Sequence, residues 1–286
     1  MTRPRIGVFG AGAIGIYLGV RLSAAGYPVT LIGRQRLVAA AADLTAVTLD
    51  GAEVGAADDL VVSTDAAALA RCDLCLVTVK SADSRAAGAA LATALDPGAT
   101  VFSLQNGLGN VDRLRTGGLQ HTALAGLVTF NVRRSDAARV IQATDGPILI
   151  ERSSLTREEP ARRLEEALSA AGEPAHVRDD LLAVQTAKLL LNLNNGLCAA
   201  TGLPIRAALL APDVRWCFAT CIAEGLRVMR AAGLPVARIG RLSPPLIARL
   251  LKLPTFILQR VAGAFMRIDP TARSSTLQDL DAGKKT

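Results

Sequence analysis

The stretch RIGVFGAGAIGIYLGVRLSAAG, Arg5 to Gly26, decides the fold. It runs from a short apolar segment of strand character through a glycine-rich turn into an amphipathic, alanine-containing segment. Gly10, Gly12 and Gly15 form a GxGxxG at the mouth of the expected helix, with Ala11, Ala13 and Ile14 between them. Gly10 permits a tight turn, and Gly12 lets the backbone approach a pyrophosphate. Gly15 lets helix and strand pack closely, while the helix N-terminus faces the anion. In a chain rich in alanine and glycine the spacing alone is weak, but the flanking strand and helix are the context it demands. The reading is a dinucleotide site; the bland alternative is a glycine-rich turn that merely packs.

Outward from this unit the alternation continues. PVTLIG, DLCLVTV and ATVFSLQ join RIGVFG as short, apolar runs bounded by Gly, Asp or Pro, the pattern of buried parallel strands. Amphipathic segments such as SADSRAAGAALATAL separate them, which implies a Rossmann-like, doubly wound parallel sheet. Asp50-Gly51 in AVTLDGAEVGA signals a hairpin. From Thr156 long helical patterns take over, so a boundary near Gly172 is expected: an α/β domain over 1–172 and an all-helical one over 173–286.

The 286 residues suffice for two domains with real cores, and half of them are hydrophobic. No apolar run reaches the ~18 residues of a membrane span. The N-terminus moves straight into a strand, so a soluble, cytoplasmic chain is expected. The net charge of +7 suggests anionic partners, but aromatics are only 3% and the basic residues are dispersed, which argues against nucleic acid. Cys72 and Cys75 form a CxxC, yet they sit in a strand-like run where i and i+3 point to opposite faces. Cys217 and Cys221, at i and i+4 of a helix, have no histidine near them in sequence. Reduced core cysteines and no metal are expected.

At the end of the second strand an NAD site usually carries an acid for the ribose 2′-hydroxyl. Here Gly33 and Arg34 occupy that place, Arg36 follows, and no carboxylate appears until Asp43. An arginine suits a 2′-phosphate, so NADP(H) is favoured over NAD(H); an arginine on a solvated loop is the bland alternative.

Elimination narrows the chemistry. Neither Tyr17 nor Tyr27 has a lysine four residues on, as a short-chain reductase would need, and neither His121 nor His176 has a carboxylate beside it in sequence. Among cations arginine is the default, and there are only five lysines. Lysine is the cation whose pKa moves readily on desolvation, which suits a proton donor. Lys80 ends one expected strand and Asn106 the next, at the carboxyl edge where such sheets bind ligands. In TAKLLLNLNNGLCAATG, Lys188, Asn192 and Asn195 stand at i, i+4 and i+7 with Gln185 on the same stripe, while Asn194 falls nearly opposite. A surface helix with a polar stripe is the bland alternative.

GVFGAGAIG, LVTVKSADS, LQNGLGN, AKLLLNLNN and SSTLQDLDAG, in this order, resemble the ketopantoate reductases (2-dehydropantoate 2-reductases) over nearly the whole chain. The resemblance implies a dinucleotide-binding domain followed by a 6-phosphogluconate-dehydrogenase-like helical domain, with the active site in the cleft between them. It implies reduction of ketopantoate to pantoate with NADPH, in pantothenate and coenzyme A biosynthesis. By position, Gly10 to Gly15 resemble the pyrophosphate loop, Arg34 the 2′-phosphate contact, and Lys80 and Asn106 cofactor-side residues, with Asn106 also approaching substrate. Val132, in TFNVRR, matches a backbone contact to the cofactor. Lys188 matches the general acid; Asn192 and Ser275 match substrate-binding positions, and Asn195 is the nearest substitute for a family asparagine.

Two departures bear on the substrate and the domain. Gly196 and Arg206 stand where the family has asparagines, a shift of one residue turning a helical side chain by about 100°. The chain also stops one residue short of a family glutamate, with Asp279 and Asp281 the nearest carboxylates, so the last helices are expected to be missing and an apolar surface exposed. Expected partners are a small 2-keto acid, with neither nucleic acid nor membrane, and a homodimer stays open. The alternatives are a reductase of another keto acid or an imine, and an NADPH-binding protein without turnover.

Overall fold

The computed structural model describes residues 3–152, 159–239, 242–261 and 272–284. The chain forms two compact units, Met1–Leu181 and Leu182–Thr286.

The first unit carries strands β1 (Ile6–Phe9), β2 (Val29–Ile32), β3 (Thr45–Val47), β4 (Glu53–Gly55), β5 (Val61–Ser63), β6 (Leu74–Val77), β7 (Thr100–Ser103), β8 (Thr122–Val128), β9 (Val132–Arg134), β10 (Arg139–Gln142), β11 (Ile148–Glu151) and β12 (Ala175–Arg178). Its helices are α1 (Ala13–Ala24), α2 (Gln35–Val38), α3 (Ser84–Ala94), α4 (Asn110–Thr116) and α5 (Glu159–Ala170). An eight-stranded sheet has the order β12-β11-β8-β7-β6-β1-β2-β5. The four strands expected from their apolar runs are its centre, β7-β6-β1-β2, and pair in parallel.

Strand periodicity builds a core on both faces. Ile6, Val8, Leu74, Leu76 and Phe102 join one cluster with Ile16, Tyr17 and Val20 of α1 and Leu164 of α5. Cys75, Val77 and Val101 face the other way, against Ala87 and Leu91 of α3 and Leu114 of α4. This is the covered, parallel α/β layer the sequence predicts.

Its edge differs from that expectation. β11 runs antiparallel to β8, and β12 pairs in parallel with β11. A parallel return needs a crossover of helical length. The chain after β8 passes instead through β9 and β10 of a second sheet, ordered β4-β3-β10-β9, and re-enters reversed. The Asp50-Gly51 hairpin joins β3 to β4, with Gly51 at φ +88°. Because β12 extends the large sheet, the first unit runs on to Leu181, where the sequence placed its boundary at 172/173. The first positions of the helical pattern, 156–158, lie outside the described residues.

The strand expected to hold both Cys72 and Cys75 holds only the second. Cys72 precedes β6 rather than lying in it, and it shares one apolar cluster with Cys75. Both thiols are free and buried, and burial pushes both pKa values up, Cys72 to about 11, so the reactive thiolate is disfavoured.

The second unit is helical: α6 (Leu181–Thr201), α7 (Ile205–Leu210), α8 (Pro212–Ala231), α9 (Pro244–Leu250), α10 (Thr255–Val261) and α11 (Ser275–Asp281). Leu191, Leu193 and Leu197 of α6 pack against Phe218, Ala219 and Ile222 of α8 and Ile247 and Ala248 of α9. Arg215 is buried in this unit, its guanidinium donating to the carbonyls of Leu251 (2.7 Å), Leu209 (3.0 Å) and Leu253 (2.8 Å). Among the described residues no helix is long and apolar enough to cross a membrane.

Candidate active site

Four adjacent strands of the first unit each deliver one expected group at the carboxyl end. In sheet order these are Asn106 after β7, Lys80 after β6, the Gly10–Gly15 loop after β1 and Arg34 after β2. This is the edge where parallel sheets hold ligands.

The glycine loop is shaped by its backbone. Gly10 has φ +114°, a conformation that side chains with a Cβ rarely adopt. The N–H groups of Gly10 and Ala11 both donate to the Ile32 carbonyl, at 3.2 and 3.0 Å, which stitches the loop to β2. Thr78 Oγ1 donates to the Gly10 carbonyl at 2.5 Å. A Cβ on Gly15 would lie 2.2 Å from that carbonyl oxygen, so only glycine lets α1 start there. Around Gly12 the space is open to beyond 4 Å, and no side chain caps α1. An uncapped helix N-terminus beside an open, glycine-lined turn fits a pyrophosphate.

Arg34 is exposed and stands at the start of α2; the neighbouring Gly33 lies against Ala11 of the loop. Lys80 and Asn106 are both exposed, and Ser81 Oγ donates to the Asn106 carbonyl at 3.0 Å, tying the two loops together. Val132 lies elsewhere. It opens β9 in the second sheet, opposite Gln142, and packs against the core beside α1.

In the second unit Lys188, Asn192 and Asn195 are half-buried along α6. Burial pulls the Lys188 ammonium down to about 8, because a low-dielectric surrounding disfavours its charged form. Asn195 Nδ2 donates to Ser275 Oγ at 3.3 Å, and Ser274, the N-cap of α11, donates to the Asn195 carbonyl at 3.4 Å. The opposite asparagine, Asn194, is buried and hydrogen-bonds the Cys198 thiol. Gly196 and Arg206 are exposed, with nothing within 4 Å of a Cβ on Gly196. Asp281 pairs with Arg273 at 2.9 Å.

Sequence reasoning overlooked Thr78, Gln105 and Asn110. Thr78 had a detectable signal, a hydroxyl at the end of a strand beside the glycine loop. Gln105 and Asn110 lie within LQNGLGN, but nothing in their spacing signals that both are buried.

The family model for ketopantoate reductase PanE/ApbA matches residues 6–154, and the one for its C-terminal domain matches 180–286. The C-terminal domain is therefore present, and the expectation that its last helices are missing finds no support in this match. The 2-dehydropantoate 2-reductase of Halobacterium salinarum is 31% identical over 242 residues, 82% of this chain and 77% of the relative. The crystal structure of a PanE/ApbA family ketopantoate reductase from Ralstonia eutropha JMP134 superposes with TM-score 0.82 at 31% identity, covering 99% of this chain and 87% of that one. The ternary structure of D-mandelate dehydrogenase with NADH and anilino(oxo)acetate shares the fold, with TM-score 0.80, 21% identity and the same two coverages of 99% and 87%. Two family models in chain order and a relative alike over most of its length lead to one conclusion: the chain belongs to the ketopantoate reductase PanE/ApbA family, oxidoreductases that use a nicotinamide cofactor.

Proposed function

We propose that this protein reduces 2-dehydropantoate to pantoate with NADPH. The observation that carries the reading is Lys188, a lysine held near a pKa of 8 by burial on the helix that also bears Asn192 and Asn195. A bound nicotinamide dinucleotide supplies the hydride. Lys188 gives the carbonyl oxygen its proton as charge develops there, stabilising the transition state more than the ground state. Asn192, Asn195 and Ser275 hold the keto acid so that its C2 is presented to the cofactor. Gly10 to Gly15 cradle the pyrophosphate, Arg34 takes the 2′-phosphate, and Lys80 and Asn106 complete the cofactor contacts along this edge; Val132, in the second sheet, is given no part in them.

A second reading keeps the reaction and changes the acid. Gly196 leaves open space on α6 where the family resemblance leads one to expect an amide, which favours a bulkier or less polar 2-keto acid. NADPH oxidation by the purified chain, followed with ketopantoate and with a panel of other 2-keto acids, separates the two. Turnover of ketopantoate that disappears in Lys188→Ala supports the first reading. Preference for another acid overturns it in favour of the second. NADPH binding without turnover of any keto acid defeats both.

A further inference from the structure

Five residues at the carboxyl ends of β6 and β7 are joined by hydrogen bonds that all run in one direction. Ser103 Oγ donates to Gln105 Oε1 at 2.9 Å, and Gln105 Nε2 donates to Ser84 Oγ at 2.8 Å. Ser84 Oγ donates to Asn110 Oδ1 at 3.4 Å, and Asn110 Nδ2 donates to the Asn106 carbonyl at 3.0 Å. Ser103, Gln105, Ser84 and Asn110 are all buried, from 0% to 4% exposed, so water does not compete for these bonds. A buried amide with a missing partner costs about 1–3 kcal/mol, which makes such a chain stiff when every member is satisfied.

The chain has branches, and each ends at a residue next to the exposed edge. Gln105 Nε2 also donates to the Val79 carbonyl at 3.0 Å, fixing the peptide that leads into Lys80. Arg113 Nη1 donates both to Asn110 Oδ1 (3.1 Å) and to the Leu108 carbonyl (2.9 Å). The Asn106 carbonyl is held twice, by Asn110 Nδ2 and by Ser81 Oγ. Between Asn106 and Asn110 the chain turns back through Gly107 at φ +91° and Gly109 at φ +72°. The backbone of Asn106 is thus immobilised from behind, while its side chain is left on the exposed side.

We propose that Asn110 and Gln105 are positioning residues: through this one-way chain they lock the Lys80 and Asn106 loops into one rigid edge, so that the Asn106 side chain meets cofactor and substrate already oriented. The inference rests on the role given to Asn106 above. Preorganisation of this kind shows as lost affinity and rate when the support is removed, even though the contact residue is intact.

The test is a double-mutant cycle between Asn110→Ala and Asn106→Ala in the full chain. It is read by the NADPH dissociation constant, from the cofactor's own fluorescence, and by kcat/KM with ketopantoate. Asn110→Ala is expected to weaken one or both by about tenfold, the effect of losing, among the three bonds of this side chain, the one that holds the Asn106 carbonyl. In the Asn106→Ala background the same change is expected to add less than about twofold, because the residue it positions is gone. Full additivity, or wild-type values for Asn110→Ala, overturns the positioning role and leaves Asn106 as a ligand contact. Wild-type values for Asn106→Ala overturn both.

Should Asn110→Ala fail to fold, Asn110→Asp gives the same answer. It keeps the acceptor for Ser84 and Arg113 and places a carboxylate in the first turn of α4, which favours the helix. It also sets an oxygen against the Asn106 carbonyl in place of the donor. Lost affinity or rate with an undiminished melting temperature supports the proposal; unchanged affinity and rate overturns it.

Discussion

Asn195 Nδ2 donates to Ser275 Oγ at 3.3 Å, joining the helix that carries Lys188 to a residue 80 positions later. Ser274, one residue earlier, caps α11 through Leu277 N (3.3 Å) and also reaches the Asn195 carbonyl. The N-terminus of α11 is therefore registered on α6 by two consecutive serines with different tasks. Ser274 is buried and holds the helix, whereas Ser275 is exposed and orients an amide.

That division predicts different phenotypes. Ser275→Ala removes a bond to Asn195 without touching the cap, so the KM for the keto acid should rise by about tenfold with little change in melting temperature. Ser274→Ala removes the cap and should lower stability by about 1 kcal/mol. Steady-state kinetics and thermal unfolding of the two variants check this; a Ser275→Ala enzyme with wild-type KM would remove Ser275 from the substrate site.

Lys188 predicts a pH dependence of opposite sign for rate and for stability. In its proposed role as proton donor it must be protonated, so kcat for reduction should fall as pH rises through about 8. Its folded pKa lies below the usual lysine value, so between about 8 and 10.5 the unfolded chain binds more protons than the folded one and stability rises with pH. Lys188→Met should accordingly abolish turnover yet stabilise the second unit near pH 7, with the gain shrinking above pH 8. A pH–rate profile and unfolding curves at two pH values test both signs, and a rate that climbs through pH 8 would remove Lys188 as the acid.

The parts of this structure that were legible in the sequence are those whose physics is local. The turn after β1 is written in glycines because Gly10 and Gly15 each exclude a Cβ, and the stripe on α6 follows from 100° per residue, which also turned Asn194 inward. The reversed edge strands were not legible, since nothing in LVTFNVRR signals that the chain enters a second sheet before β11. Nor were Gln105 and Asn110, whose partners, Ser84 and Val79, come from another strand's connection. Side chains satisfied by distant backbone leave no periodicity to read.

Arg34 gives a test of the cofactor that does not depend on the keto acid. Its position at the start of α2, one residue from the Gly33 that meets Ala11, suits a phosphate on the adenosine ribose. A charge-assisted bond of this kind contributes about 1.5–3 kcal/mol. Arg34→Ala should raise the NADPH dissociation constant by about 10- to 100-fold and leave NADH binding within about twofold. Equal losses for both cofactors, or none for either, would show that Arg34 does not read the 2′-phosphate.

Arg215 predicts a purely structural defect. It is 3% exposed, and its guanidinium donates to Leu251, Leu209 and Leu253 carbonyls and to Thr255 Oγ1 (3.3 Å), clasping the end of α7 to the α9–α10 connection. The planar fork of arginine serves several acceptors at once, which the single ammonium of lysine does not. Arg215→Lys leaves some of these carbonyls buried without a donor, and Arg215→Met leaves them all. Each orphaned acceptor costs about 1–3 kcal/mol. Arg215→Met should therefore destabilise the second unit by about 3 kcal/mol or more and lower its melting temperature by about 10 °C. Arg215→Lys should lie between it and the wild type. Because the clasp touches neither the Gly10–Gly15 loop nor Arg34, NADPH affinity measured well below the transition should stay within about twofold of wild type. A melting temperature unchanged in Arg215→Met would mean that water satisfies these carbonyls, and that the arginine only occupies the space.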